Sequence, residues 1–421
     1  MTRRPSRRDF LRTGAAGGAV LALPAAVYRG AFAADPPSER IRLGSIGVGN
    51  QGGPKNNLRH FIRLASVVAV CDVDANYLAQ AAGFVEKESG KKPTTYGDFR
   101  RLLDSKDVDA VVVTVPDHWH ALITVRACEA GKDVYCEKPL TLVIDEGKAM
   151  IAAARKHKRI VQTGSQQRSA KEFRTACELV RNGAVGKLHT IKVGLPAPNW
   201  VQRAKHPVPD AVPPAGLNYD LWLGPAPERP YNQNRVHYLF RFFWDYSGGQ
   251  QTNFGAHDLD IAQWALGMDE SGPISAEGQA KYHPKGWYET PDWTDITYKY
   301  AGGVTVKCGQ DYRGGCTFEG DKGTIHVRRG KLTADQTMKP TGDVKLYESD
   351  NHHRNWLDCI RTREYPICDV AIGHRSATVC HLGNIAVRLG RKITWDPAKE
   401  VIVGDAEAAK WTTKAYRAPW K

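Results

Sequence analysis

Six residues, Gly47-Val48-Gly49-Asn50-Gln51-Gly52, constrain this chain more than any others. They follow an apolar alternation over 41–46 and lead into a helix-like stretch that runs to Leu64, which reads as strand, glycine turn and helix. A second buried strand over 67–71 ends in Asp72, 25 positions after Gly47. In that context G-x-G-x-x-G is a dinucleotide fingerprint. Gly47, Gly49 and Gly52 let the backbone approach a pyrophosphate, while the helix start beside Asn50 and Gln51 supplies N–H donors and a positive dipole. Asp72 accepts from both hydroxyls of an adenosine ribose, and because a carboxylate repels a 2'-phosphate, NAD is favoured over NADP.

The alternation continues. Asp74 caps a helix expected through Glu88, an all-apolar strand covers 110–115, and helices over 121–130 and 145–156 alternate with strands over 134–136 and 160–163. Such a pattern over 41–165 predicts a doubly wound parallel sheet. From about Lys187 strands follow one another through short turns, over 188–195, 276–282, 294–300, 304–310, 316–319 and 324–327, which predicts an antiparallel sheet. The fold class is therefore α/β plus α+β, with a substrate and oligomerisation domain over 166–395. An insertion over 196–246, rich in Pro, Trp and Tyr, is long enough to shape a site. Further helices are expected over 257–266, 351–361 and 374–388, and a tail over 396–421 is expected to pack back on the body.

Residues 1–33 read as an export signal: Arg3, Arg4, Arg7 and Arg8, then a mildly apolar stretch over 14–27, then Ala31-Phe32-Ala33 as a cleavage site. Ser6-Arg7-Arg8-Asp9-Phe10-Leu11 resembles a twin-arginine signal, whose translocase carries folded proteins. The apolar run is too short to span a bilayer, and a linker over 34–40 follows. Six arginines and one aspartate of the +14 net charge lie in this segment, and the remaining cations are scattered, so no nucleic-acid footprint is expected. Nine cysteines with no C-x-x-C pair exclude a zinc ribbon or thioredoxin motif, and thiols that fold in a reducing cytoplasm are expected to stay free.

Asp109-Ala110-Val111-Val112-Val113-Thr114-Val115-Pro116-Asp117-His118-Trp119-His120, followed by Ala130-Gly131-Lys132-Asp133-Val134-Tyr135-Cys136-Glu137-Lys138-Pro139-Leu140, resembles the Gfo/Idh/MocA oxidoreductase family. The resemblance implies a Rossmann domain joined to an open-faced antiparallel sheet, and a nicotinamide cofactor working on sugars, inositols or related polyols. It also implies that Lys138 stands at the nicotinamide and substrate, and that Thr114, Pro116, His120 and Glu137 line the cofactor. Without the family, Lys138 lies just past the carboxyl end of a parallel strand, the edge where doubly wound sheets bind ligands. A lysine partly desolvated there polarises a hydroxyl or carbonyl oxygen, whereas a lysine beside Pro is otherwise a solvated turn residue.

A second constellation, Gly248-Gly249-Gln250-Gln251-Thr252-Asn253-Phe254-Gly255-Ala256-His257-Asp258-Leu259-Asp260, is similar to the family's G-G-x-x-x-D-x-G-x-H-x-x-D segment, in which an Asp and a His meet the substrate. The first acid is here Asn253, which cannot take a proton and is expected to orient by hydrogen bonding. His257 keeps the acid/base role, with Lys138 and Asp258 as electrostatic partners. Gln166, Gln167 and Arg168 follow the sixth strand, where the resemblance places contacts on the nicotinamide side of the pocket. Trp222 and Trp244, with Trp200, Tyr219 and Tyr246, offer flat faces of the kind sugar rings stack on, although large aromatics are often core. His374 and His381 share a helix face, but nothing completes a ligand set, so no metal is expected.

These readings converge on an exported oxidoreductase acting at a secondary alcohol of a sugar, glycoside or polyol. Outside the cytoplasmic membrane there is no dependable nicotinamide pool, so NAD is expected to stay bound and to be restored within each cycle, by sugar–sugar exchange or by transient oxidation at a sugar C3 that ends in re-reduction, with exchange or simple 3-oxidation of glycosides ranked first. A redox-neutral glycosidase or lyase, or a non-enzymatic sugar-binding protein on the same fold, stands as the alternative. An open sheet face usually needs covering, which predicts a homo-dimer or homo-tetramer.

Overall fold

The computed structural model describes residues 40–198, 208–335 and 340–420, so the signal segment, nearly all of the linker, and Trp200 lie outside the described residues. The first half is a six-stranded parallel sheet in the order β3-β2-β1-β4-β5-β6. Its strands are β1 (Arg42–Ile46), β2 (Ser66–Cys71), β3 (Thr94–Tyr96), β4 (Ala110–Val113), β5 (Asp133–Cys136) and β6 (Val161–Thr163). Between them run α1 (Asn57–Leu64), α2 (Ala75–Ser89), α3 (Phe99–Leu103), α4 (Asp117–Glu129) and α5 (Ile144–Lys156). Every residue of β4 and β5 is buried, because helices cover both faces, and this is why β4 and residues 134–136 of β5 read as apolar runs. Asp74 starts α2 by accepting from the N–H groups of Asn76 and Tyr77. The chain leaves β1 towards β2 and β3 and returns to β4 on the other side, so the carboxyl ends of β1 and β4 flank the crevice where such sheets bind ligands.

The second half is a nine-stranded sheet in the order β13-β12-β11-β7-β10-β9-β8-β14-β15. Its strands are β7 (Leu188–Gly194), β8 (Ser275–Lys281), β9 (Trp293–Lys299), β10 (Thr305–Gly309), β11 (Gly315–Gly320), β12 (Gly323–Arg328), β13 (Lys331–Ala334), β14 (Ile393–Asp396) and β15 (Val401–Ile402). The sheet is mixed, not purely antiparallel: β10 pairs with β7 in parallel, because the insertion and the β8–β9 hairpin return the chain in its original direction. One face is apolar. Ile191, Val193, Ile296, Tyr298, Val306 and Phe318 pack there with α6 (Lys171–Arg181), α9 (Gly255–Leu266) and α11 (Val370–Leu389). Each fully buried Ile or Phe contributes about 1.5–3 kcal/mol. The opposite face carries Thr190, Lys192, Thr297, Thr305, Lys307, Thr317 and Glu319, with Lys192 Nζ 2.7 Å from Glu319 Oε1. These side chains make it a polar face.

The insertion forms its own small apolar cluster around Trp222, Phe242 and Tyr246, and contains α7 (Tyr219–Leu223), which is followed by α8 (Gly249–Asn253). Beyond the second sheet come α10 (His352–Thr362), then α11, and α12 (Ala406–Ala409). In the last residues Trp420 meets Trp119 edge-on at 4.8 Å and Tyr416 donates to Glu146 Oε1 at 2.8 Å. All nine cysteines are free and buried. No described helix is long and apolar enough to cross a membrane.

Candidate active site

A cavity of about 1160 Å³ opens along the carboxyl ends of β1, β4 and β5 and is closed on its far side by the insertion and the start of α9. Its first wall is the glycine turn. Gly47 has φ +78°, and a Cβ there would sit 2.4 Å from the Thr114 carbonyl oxygen. The N–H groups of Gly49, Asn50 and Gln51, which line the cavity, donate to no acceptor among the described residues. Three such amides beside a bare glycine backbone fit the pyrophosphate of a dinucleotide. The helix expected directly after the turn starts only at Asn57, because Pro54 and its neighbours form a further loop, tied by Asn57 N–H to Gln51 O at 3.1 Å. The amides of the turn, not a helix end, therefore form the cradle.

Asp72 lies at the cavity edge and accepts from Val48 N–H at 2.8 Å and Asp74 N–H at 2.9 Å. Burial pushes it up to about 6, against the pull of those two N–H groups. Both oxygens keep lone pairs, which fits a ribose diol.

At the other end, Glu137 and Lys138 follow β5. Glu137 is buried and accepts from Asn57 Nδ2 at 2.9 Å, Gln166 Nε2 at 3.1 Å and its neighbour's N–H at 3.3 Å. Gly164 makes room for it, since a Cβ there would lie 2.9 Å from the Glu137 carboxyl carbon. The Nζ of Lys138 donates to the backbone and side-chain oxygens of Asn253 at 2.7 and 3.0 Å, leaving one N–H for the cavity. Burial, followed by the nearby Arg241 charge, lowers Lys138 to about 8. Asn253 is held in turn by its Nδ2 donating to Gln250 Oε1 at 2.9 Å. His257, on the first turn of α9, lines the same space and has a buried Nδ1 with no partner. Burial, then the charges of Lys138 and Arg329, hold it well below the ordinary imidazole range, so it is neutral at neutral pH.

Thr114, Pro116, Gln166, Gln167 and Trp222 also line the cavity. Five other expected site residues do not, and each has a physical reason. Gly52 supports the turn from behind: a Cβ there would lie 1.8 Å from Gly47 O. His120 is buried beneath the site, with its ring nitrogens against Pro139 O at 2.7 Å and Val115 O at 2.9 Å. Asp258 points away from His257 and accepts from Gln167 Nε2 at 2.9 Å. Arg168 is 1% exposed and is clamped by Asp260 and Asp269 at 2.8 and 2.7 Å, so it is a core ion cluster rather than a pocket residue. Trp244 stacks on Arg388 at 4.2 Å, which Trp411 covers from the other side at 3.7 Å. His374 bonds Glu400 and His381 bonds Thr141. Among the cavity residues missed by sequence reasoning are Arg241, Arg329 and the buried Asp117, which accepts from Ser247 at 2.5 Å. A lone arginine in a surface turn carries no sequence signal, while Asp117 was visible inside the Pro116-Asp117-His118 run.

The model for the NAD-binding Rossmann fold of the Gfo/Idh/MocA oxidoreductases matches residues 41–165, and that for the family's C-terminal alpha/beta domain matches 172–421. The chain belongs to this family. By family it carries an NAD-binding Rossmann fold, and a twin-arginine translocation signal matched at residues 4–24 marks this Gfo/Idh/MocA member for export. A glycosyl hydrolase family 109 protein of Shewanella pealeana is 29% identical over 159 residues, 36% of this chain and 34% of that protein. YrbE of Bacillus subtilis, an uncharacterized oxidoreductase, is 26% identical over 59% of this chain and 60% of its own length. The match thus spans about a third of the first of these curated relatives and three fifths of the second. The WlbA dehydrogenase of Bordetella pertussis, solved with NADH and UDP-GlcNAcA, superposes with a TM-score of 0.66 over 85% of this chain and 99% of its own at 19% identity, a likeness of fold.

Proposed function

We propose that the protein oxidises a secondary alcohol of a sugar or glycoside with an NAD that stays bound through each cycle. The observation that carries this reading is the convergence of the Lys138 ammonium and the neutral His257 ring at one end of a cavity whose other end is the glycine cradle with Asp72. Asp72 and Asp74, two carboxylates at the ribose end, support NAD over NADP. Bound NAD supplies the hydride acceptor. Lys138, fixed by Asn253, donates its remaining N–H to the substrate oxygen and stabilises the negative charge that develops there. The hydroxyl proton passes to the unprotonated ring nitrogen of His257. The walls formed by Trp222, Tyr238 and Phe240 keep water from the reacting carbon.

In sugar–sugar exchange a second sugar carbonyl takes the hydride back and restores the cofactor within a cycle, and net 3-oxidation of a glycoside would need such a carbonyl compound as its acceptor. The relative named as a glycosyl hydrolase favours a second reading, in which transient oxidation permits loss of the glycosidic substituent before re-reduction. A dimer or tetramer belongs to the same proposal, and light scattering on the exported form checks it. The decisive experiment is to purify that form without added nucleotide, denature it and assay the supernatant. Stoichiometric NAD, and a rise at 340 nm when glycosides are added to the native protein, support the reading. An empty protein that needs millimolar NAD overturns retention, and a loaded protein that no sugar reduces overturns the enzyme.

A further inference from the structure

The substrate end of the cavity holds a cation, Arg329, that oxidation of a neutral alcohol does not use. Arg329 stands in the turn between β12 and β13, and its Nε donates to Gln167 Oε1 at 3.0 Å. Gln167 donates to Asp258 Oδ1 at 2.9 Å, so a surface turn is tied to the buried first turn of α9. The relay uses one N–H of the guanidinium and leaves its two terminal nitrogens without an acceptor among the described residues, beside the cavity they line. Arg241 enters from the insertion, with its guanidinium 4.5 Å from the Tyr238 ring centre and 4.6 Å from that of Phe240. Asp117 and Glu137 face the charges of Lys138 and Arg241, whereas no carboxylate among the described residues accepts from the terminal nitrogens of Arg329. Asp72 and Asp74 serve the turn and α2, Asp117 takes Ser247, Glu137 takes Asn57 and Gln166, and Glu172 takes Gly330 N–H.

We infer that the substrate is an acidic sugar, whose carboxylate or sulfate is gripped by Arg329 at the cavity mouth, Gln167 and Asp258 acting as positioning residues. This rests on the reading that a sugar occupies the Lys138–His257 end. A planar fork with free N–H pairs matches a carboxylate or sulfate edge in two parallel bonds. The anion also offsets the cations that disfavour a proton on His257, so binding and proton acceptance support each other. The pyrophosphate is not the partner of Arg329, because the Gln167 bond fixes its guanidinium at the His257 end, away from the glycine turn.

The test uses the NAD-loaded protein with methyl glucoside, methyl glucuronide and methyl glucoside 6-sulfate, read by calorimetry and by absorbance at 340 nm. At least one anionic glycoside should bind about 10- to 100-fold more tightly than the neutral one, and the two anionic arms identify which group is read. Arg329→Gln should bring that ratio close to one. Arg329→Lys should keep part of it, and Arg328→Gln, one residue away and outside the cavity, should keep all of it. Equal binding of neutral and anionic sugars overturns the inference, as does equal loss in the Arg328 and Arg329 variants. If anionic sugars bind through Arg329 yet leave 340 nm unchanged, the anion site stands and the redox reading falls; if the neutral glycoside reduces the cofactor as well as the others, the reverse holds.

Discussion

Lys138 Nζ and the two oxygens of Asn253 lie 2.7 and 3.0 Å apart, which joins the end of β5 to the α8–α9 junction through one ammonium. An amide at 253 binds the lysine without neutralising it. The catalytic end therefore keeps its positive charge, where a carboxylate would have removed it.

That arrangement fixes a pH dependence. Lys138 is lowered to about 8 by burial, so it is charged below that pH and loses its donor proton as pH rises through it. Turnover should fall on the alkaline side near pH 8. Asn253→Asp places a negative charge against the ammonium and should move that limb upward by about one unit or more. A limb that stays in place shows that another group titrates there.

Lys138→Ala should abolish reduction of the bound cofactor while leaving its content and the melting curve nearly unchanged, because the side chain faces a cavity rather than the core. Loss of folding would move this lysine into a structural role.

His257→Asn should lower kcat by about 10²- to 10⁴-fold, with KM changing far less, since an amide fills similar space but accepts no proton. Comparable losses in both constants would indicate binding alone.

Asp72→Ser should weaken retention of NAD and narrow the preference over NADP, which a nucleotide assay on the denatured variant measures directly. Unchanged preference would remove the ribose assignment.

Arg168→Met should destabilise the fold by about 3–5 kcal/mol, because Asp260 is 0% exposed and would keep a buried charge with only Ser376 beside it. Urea unfolding checks it, and a small effect would show that the cluster is solvated.

The parallel half of the fold was legible because burial on both faces turns its inner strands β2 and β4 into nearly unbroken apolar runs. The strands that escaped notice, β3 and β13 to β15, lie at or next to sheet edges and are short, with a residue such as Thr94 exposed where an apolar signal was sought. Glycine spacing marked the cradle, yet Pro54 deferred the helix in a way spacing does not reveal. Arg168 shows the limit more sharply. Its position after β6 suggested a pocket, but its partners lie 92 and 101 residues away, and only the fold brings them together. Arg329 reaches the cavity through a bond to Gln167, 162 residues away, which no local pattern announces.

The nine enclosed thiols carry a consequence for the order of events in the cell. A chain that crossed the membrane unfolded would present nine reactive sulfurs, an odd number, to an oxidising compartment, where mispairing traps intermediates before a core forms. With all nine thiols buried before departure, oxidants meet no cysteine at the surface. Folding before transport is thus a safeguard for the core as well as a means of carrying cargo.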